Sequence, residues 1–154
     1  MNTQLNQPNI SFREMHASDL DAVMQIEIVN FPFPWTAGNF KDSINSGHIC
    51  LLLEIDEAVI GYAILMMVLD EAHLLNISVS SAWKGKGWGR HLLNQMMQIG
   101  REKGCLNMFL EVRPSNVSAI TLYESIGFNE MGMRPGYYPA YNGRENAVLM
   151  GVAL

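Results

Sequence analysis

The chain reads as one mixed α/β domain with a mostly antiparallel central sheet flanked by helices, and three features predict it. Apolar, strand-like runs follow one another across short turns from His48 to Val79, the pattern of an antiparallel meander. A glycine-rich segment, Lys84 to Arg90, then opens a strongly periodic helix. After that helix the chain alternates strand, helix and strand to its end. At 154 residues a single domain is expected. A domain of this size buries roughly 70% of the surface its unfolded chain exposes, so its core needs no staples.

Residues 1–9 are rich in Asn and Gln and read as a disordered tail, leaving 10–154 as the folded domain. Ile10 to Glu14 is a short strand. Ser18 is placed to cap a helix from Asp19 to about Asn30, with Leu20, Val23, Met24 and Ile28 as apolar positions. Phe31-Pro32-Phe33-Pro34-Trp35 ends it, because proline lacks the N–H and clashes with the preceding turn. Thr36 caps a second short helix ending near Gly47. His48 to Ile55, Val59 to Val68 and His73 to Val79 are strands, the first two joined by a turn at Asp56-Glu57. The helix after the glycine segment aligns Leu92, Leu93, Met96, Met97 and Gly100 on one face, and Gly104 stops it. Met108 to Arg113 is a strand. Asn116 caps a helix from Val117 to Ile126, closed by Gly127, and Ala147 to Leu154 is a final strand.

Composition narrows the function. With 49% hydrophobic and 16% charged residues the chain is globular. A net charge of -5 excludes a protein that works by wrapping nucleic acid, which needs clustered Lys and Arg, and it suits a basic partner. Cys50 and Cys105 form no Cys-x-x-Cys pair and read as reduced thiols, which fits a cytoplasmic protein. His16, His48, His73 and His91 have no partner at zinc-ligand spacing, so no metal is expected. No signal peptide is expected, and the apolar run Ala58 to Leu69 is too short to span a bilayer as a helix.

The glycine segment has two readings. A Gly-rich turn before a helix N-terminus cradles phosphate through free backbone N–H groups and the positive end of the helix dipole. Lys84, Lys86 and Arg90 add positive charge there. The plainer reading is a surface turn with solvated charges. No Ser or Thr follows a Gly-Lys pair, so it is no Walker A loop. The Rossmann spacing fails as well, since its third glycine would be Arg90 or Leu92.

Farther on, Glu111 alternates with Met108, Leu110 and Val112 on a strand, where glutamate is depleted. It reads either as a partner of Arg113 or as a proton acceptor. Asn116 is either a helix cap or a ligand contact. Tyr123 lies in the apolar stripe Ala119, Leu122, Ile126, and is either a core tyrosine or a proton donor.

Lys84-Gly85-Lys86-Gly87-Trp88-Gly89 resembles the acetyl-CoA loop of the GNAT superfamily, Gln/Arg-x-x-Gly-x-Gly/Ala, with Lys84 where Gln or Arg is usual. The resemblance implies that backbone amides of Gly85, Lys86, Gly87, Trp88, Gly89 and Arg90 hold the CoA pyrophosphate. It implies that Ile77-Ser78-Val79 pair with the pantetheine arm, and that the sheet splays between the strand ending near Val79 and the strand of Glu111. Leu110-Glu111-Val112-Arg113-Pro114-Ser115-Asn116, followed by Ala119 to Phe128, is similar to the bacterial ribosomal-protein-alanine N-acetyltransferases, the RimI family. Phe33-Pro34-Trp35, Leu69-Asp70-Glu71-Ala72, Tyr137-Tyr138-Pro139 and Gly143-Arg144-Glu145 extend the likeness. Asn146, where an acidic residue often stands, and Pro114 depart from it.

By that resemblance Glu111 is the general base, Tyr123 the general acid and Asn116 a CoA contact. The implied co-substrate is acetyl-CoA, and the implied acceptor is the N-terminal alanine of a small-subunit ribosomal protein. No nucleic acid or membrane partner is implied, and the chain is expected as a monomer or weak dimer. Two other functions are compatible with the same residues: acetylation of lysine side chains or a small amine, and non-catalytic sensing of acyl-CoA.

Overall fold

A computed structural model describes residues 8–154; the expected tail over residues 1–7 lies outside the described residues. Asn9, also assigned to that tail, is tied down: its N–H donates to Asp56 Oδ1 at 3.0 Å. The strands are β1 (Ile10–Glu14), β2 (Ile49–Ile55), β3 (Ala58–Val68), β4 (Glu71–Val79), β5 (Asn107–Val112), β6 (Asn129–Ala140) and β7 (Gly143–Ala153). The helices are α1 (Leu20–Asn30), α2 (Ala37–Asn45), α3 (Trp88–Glu102) and α4 (Val117–Ile126). One sheet holds the strands in the order β1-β2-β3-β4-β5-β7-β6. Every pairing is antiparallel except β4 with β5, the pair that α3 connects. A parallel pair needs such a crossover.

Local chemistry sets most boundaries. Asp56 and Glu57 both have positive φ, as a two-residue hairpin turn requires. Thr36 caps α2 through its hydroxyl, which accepts from Asn39 N–H, while the Asn39 side chain returns to Thr36 N–H. Phe31 is extended, as a residue before proline must be, and α1 stops there. Ser18, in contrast, does not cap α1. A short 3₁₀ turn, Ala17–Asp19, precedes the helix, and Asp19 accepts from His16 N–H and pairs with Arg13. Carboxylate and guanidinium together outcompete the hydroxyl for this corner. Ile28 is exposed, whereas Leu20, Val23, Ile26 and Glu27 are buried.

The sequence reading leaves residues 129–140 without structure and starts the last strand at Ala147. The structure instead forms a long β6–β7 hairpin. Pro135 and Pro139, with Gly132 and Gly136, argue against a strand. They are tolerated because β6 is an edge, paired on one side only, and bulged near Glu130 and again between Arg134 and Tyr138.

Two cores cover the sheet. One packs α3 and α4 on one face, through Leu92, Leu93, Met96, Met108, Tyr123 and Phe128. The other packs α1 and α2 on the opposite face, through Val23, Ile26, Phe40, Leu52, Tyr62 and Ile64. Strands covered on both sides read as continuous apolar runs, as β2 and β3 do. Cys50 and Cys105 are free and buried, and burial pushes the Cys50 thiol up to about 11.

Candidate active site

The sheet parts in its middle. The β4–β5 register runs from Glu71↔Asn107 to Leu74↔Leu110 and ends there. Beyond it, Asn76 to Val79 stay with β3 after a bulge at Leu75, and Glu111 and Val112 stay with β7. The splay expected between Val79 and Glu111 therefore opens at Glu111, the first β5 residue past the last β4 pair.

On the β4 side the site is built of backbone. Gly85 and Gly87 have φ of +76° and +87°, and a Cβ at either would meet nothing within 4 Å. Gly87 starts α3, so the N–H groups of Trp88, Gly89 and Arg90 are the helix's first donors and lack intrahelical partners. Lys86 Nζ lies 5.4 Å from the Trp83 ring centre. The Arg90 guanidinium donates to Ser125 Oγ on α4 at 2.6 Å, which ties the first turn of α3 to α4. Ser78 and Val79 are buried, and Asn30 Nδ2 donates to Ser78 Oγ and to Val79 O.

On the β5 side the site is built of side chains. Met108, Leu110 and Val112 point into the core, and Glu111 faces a cleft of about 630 Å³. Trp35, His73, Phe109, Arg134, Tyr137 and Leu149 also line it. Glu111 does not pair with Arg113. Its Oε1 meets Arg134 at 3.2 Å, and its Oε2 is buried without a partner. Arg113 turns elsewhere, to Pro139 O at 2.7 Å and Glu145 at 3.3 Å. Its guanidinium lies between the rings of Phe33 at 5.2 Å and Tyr138 at 4.4 Å. Glu145 also accepts from the amide and hydroxyl of Ser115, both at 2.9 Å. Burial raises the Glu145 pKa, but Ser115 and Arg113 outweigh that and leave it below the usual carboxylate range.

Tyr123 is buried on α4 against Phe128, and burial, then Tyr138, pushes its hydroxyl pKa up. Tyr138 is pushed up to about 12, by burial first and next by the Glu111 charge. Tyr138 is thus electrostatically close to both Glu111 and Tyr123. Asn116 caps α4, its Oδ1 accepting from Ala119 N–H at 3.3 Å. Asn146, the departure from the family pattern, shapes the β6 bulge by accepting from Gly136 N–H at 2.9 Å.

Comparison with known proteins agrees with this fold. The sequence profile of the acetyltransferase (GNAT) family matches residues 20–128. The chain belongs to the GNAT acetyltransferase family. As a GNAT enzyme it is an acyltransferase, in a family that draws its acetyl group from acetyl-CoA. It is 41% identical, over 92% of its length and 97% of the relative's, to a protein of Haemophilus influenzae named [ribosomal protein bS18]-alanine N-acetyltransferase. A Salmonella typhimurium protein of the same name is 39% identical over 91% of this chain and 95% of its own. The crystal structure of the ribosomal-protein-S18-alanine N-acetyltransferase from Escherichia coli superposes with a TM-score of 0.87 at 36% identity, covering 94% of each chain.

Sequence reasoning missed Arg134 in this GNAT site, and Glu27 and Asn30 behind it. Arg134 lies in the segment to which the sequence reading assigns no element. Glu27 was findable: with Leu20 and Val23 it continues the buried stripe of α1, and a carboxylate in such a stripe is a signal. Among the described residues no group of three or more His, Cys, Asp or Glu is arranged to hold a metal ion. No described helix is long and apolar enough to cross a membrane.

Proposed function

We propose that this enzyme acetylates the N-terminal alanine of ribosomal protein bS18 in the cytoplasm, using acetyl-CoA. The names of its relatives support the acceptor. The observation that carries the chemistry is Glu111: one oxygen held by Arg134, the other buried and unpartnered, at the parting of β4 and β5.

The loop Gly85 to Arg90 fits a pyrophosphate, since its glycines leave open space and its helix offers unpaired N–H groups. Ile77, Ser78 and Val79 flank the gap for the pantetheine arm. Asn116 spends its oxygen on the cap, which leaves its NH₂ for CoA. When bound, acetyl-CoA supplies the acetyl group as a thioester.

An α-amine has a pKa of about 7.7–8.0 and is mainly charged at neutral pH, so it must lose a proton before attack. Glu111 accepts that proton. The Val79 N–H is the donor we assign to the carbonyl oxygen as negative charge develops. As the C–N bond forms and the C–S bond breaks, Tyr123 gives its proton to the departing sulfur. Burial keeps the Tyr123 hydroxyl protonated until then. Cys50 and Cys105 are buried away from this path, and no covalent enzyme intermediate is needed.

The test is intact mass after incubation with acetyl-CoA, comparing the bS18 N-terminal peptide with an N-terminally blocked, lysine-containing control. A single acetyl group on the free α-amine is expected. Acetylation of the blocked peptide would reassign the acceptor to lysine. Transfer to neither peptide, with acetyl-CoA still bound, would leave a small amine or a sensing role.

A further inference from the structure

Glu27 is 2% exposed, and no Lys, Arg or His pairs with it among the described residues. A buried carboxylate without a counter-charge is costly unless donors satisfy it. Three do. The Tyr62 hydroxyl donates to Oε1 at 2.6 Å, and Asn76 Nδ2 donates to the same oxygen at 3.0 Å. The backbone N–H of Trp35 donates to Oε2 at 2.9 Å. Burial first, then the Glu27 charge, hold the Tyr62 hydroxyl protonated well above its usual range.

The third bond stands apart from the other two. Tyr62 and Asn76 belong to β3 and β4, which are already fixed by their ladder. Trp35 lies between α1 and α2, in a proline-bounded segment with no ladder of its own, and it lines the cleft together with Arg134 and Tyr137. One carboxylate therefore ties a cleft wall to the strand that leads to Val79. An apolar residue at position 27 would fill the helix stripe equally well and would leave the Trp35 N–H without its partner.

We infer that Glu27 is a positioning residue for the acceptor: it fixes Trp35 as a wall of the cleft through which the amine reaches Glu111. This rests on the reading of Glu111 as the base that meets the acceptor amine, with the cleft it faces as the way in. The role is selective. Glu27 touches neither the glycine loop nor Glu111, so its loss should weaken acceptor binding while sparing acetyl-CoA binding and the chemical step.

The experiment compares full-length wild type, Glu27→Ala, Glu27→Gln and Trp35→Ala in steady-state assays with the bS18 peptide. For Glu27→Ala, the acceptor KM should rise about tenfold, with kcat and acetyl-CoA KM changing less than about twofold. Glu27→Gln should recover part of the loss, since it keeps one acceptor oxygen. Trp35→Ala should raise acceptor KM similarly, and adding it to Glu27→Ala should bring little further loss, because both act on one wall. An unchanged acceptor KM, equal losses in all three constants, or fully additive effects would overturn the inference. Should Glu27→Ala not fold, an unchanged acceptor KM in Trp35→Ala would still overturn it. Hydrogen exchange separates this inference from the choice of acceptor. The Trp35 amide should exchange about tenfold faster in Glu27→Ala, and by less in Glu27→Gln, whichever peptide the wild type accepts. Failure of the wild type on the bS18 peptide would count against the acceptor, and unchanged Trp35 exchange against Glu27.

Discussion

The two sides of the parted sheet are built on different principles. The β4 side presents main chain: two left-handed glycines, the first turn of α3 and a strand edge. The β5 side presents side chains drawn from far apart in sequence, with Arg113 reaching Pro139 and Glu145, and Arg134 reaching Glu111. A main-chain grip suits a ligand that every family member shares, because it survives most substitutions. A side-chain network suits a group that must be told apart from others, because each contact can be changed singly.

Substitutions on the two sides should therefore fail differently. The largest effect belongs to Glu111→Gln, which should lower kcat/KM by about 100- to 10,000-fold while leaving acetyl-CoA affinity within about twofold. Calorimetry of acetyl-CoA binding beside initial rates measures both, and intact turnover would remove the base. Tyr123→Phe comes next, with kcat down about 100-fold and little change in acetyl-CoA binding. A rate equal to wild type in that variant means sulfur takes its proton elsewhere.

Gly87→Ala should do the reverse. A left-handed L-residue costs about 1–2 kcal/mol, so acetyl-CoA KM should rise about tenfold while acceptor KM stays put. A rise in acceptor KM of the same size would blur the division. Arg113→Lys is smaller. The ammonium cannot stack as a plane between Phe33 and Tyr138 or fork between Pro139 and Glu145, so acceptor KM should rise about threefold.

The smallest effect is on acid stability. Asp19, bonded to Arg13, and Glu145, bonded to Ser115 and Arg113, both titrate below their ordinary range in the folded state. The folded chain then binds fewer protons than the unfolded one as pH falls through about 4. Their contribution is full above that region and lost as pH drops through the folded values. Tm should fall on acidification from about pH 5, and Glu145→Gln should flatten that slope. An unchanged slope would leave Asp19 as the carrier.

The same division governs what could be read from the sequence. The glycine loop, Asn116, Gly104 and Gly127 were legible because each answers a local need for free N–H groups, a cap or positive φ. The meander was legible because its strands alternate or run apolar between short turns. The β6 strand was not, since its prolines speak against pairing and only its place at the sheet edge excuses them. Nor were the ion pairs: Glu111 has Arg113 two residues away, yet finds Arg134 across the sheet. Local spacing offers the nearest partner, while the pleat and the β6–β7 register decide which one can reach.

The prolines of β6 have a consequence for the whole sheet. Pro135 and Pro139 offer no N–H to an incoming strand, and β1, at the opposite margin, is five residues long and ends in Arg13 and Glu14. Both margins are thereby poor templates for strand addition by another chain, which protects a sheet of seven strands from edge-to-edge growth. Unclaimed pairing capacity lies in the interior instead, along Asn76 to Val79, past the last β4–β5 pair at Leu74 and Leu110. A neighbouring polypeptide is kept from extending the fold at its margins, while the interior edge of β4 stays open to the ligand we propose for it.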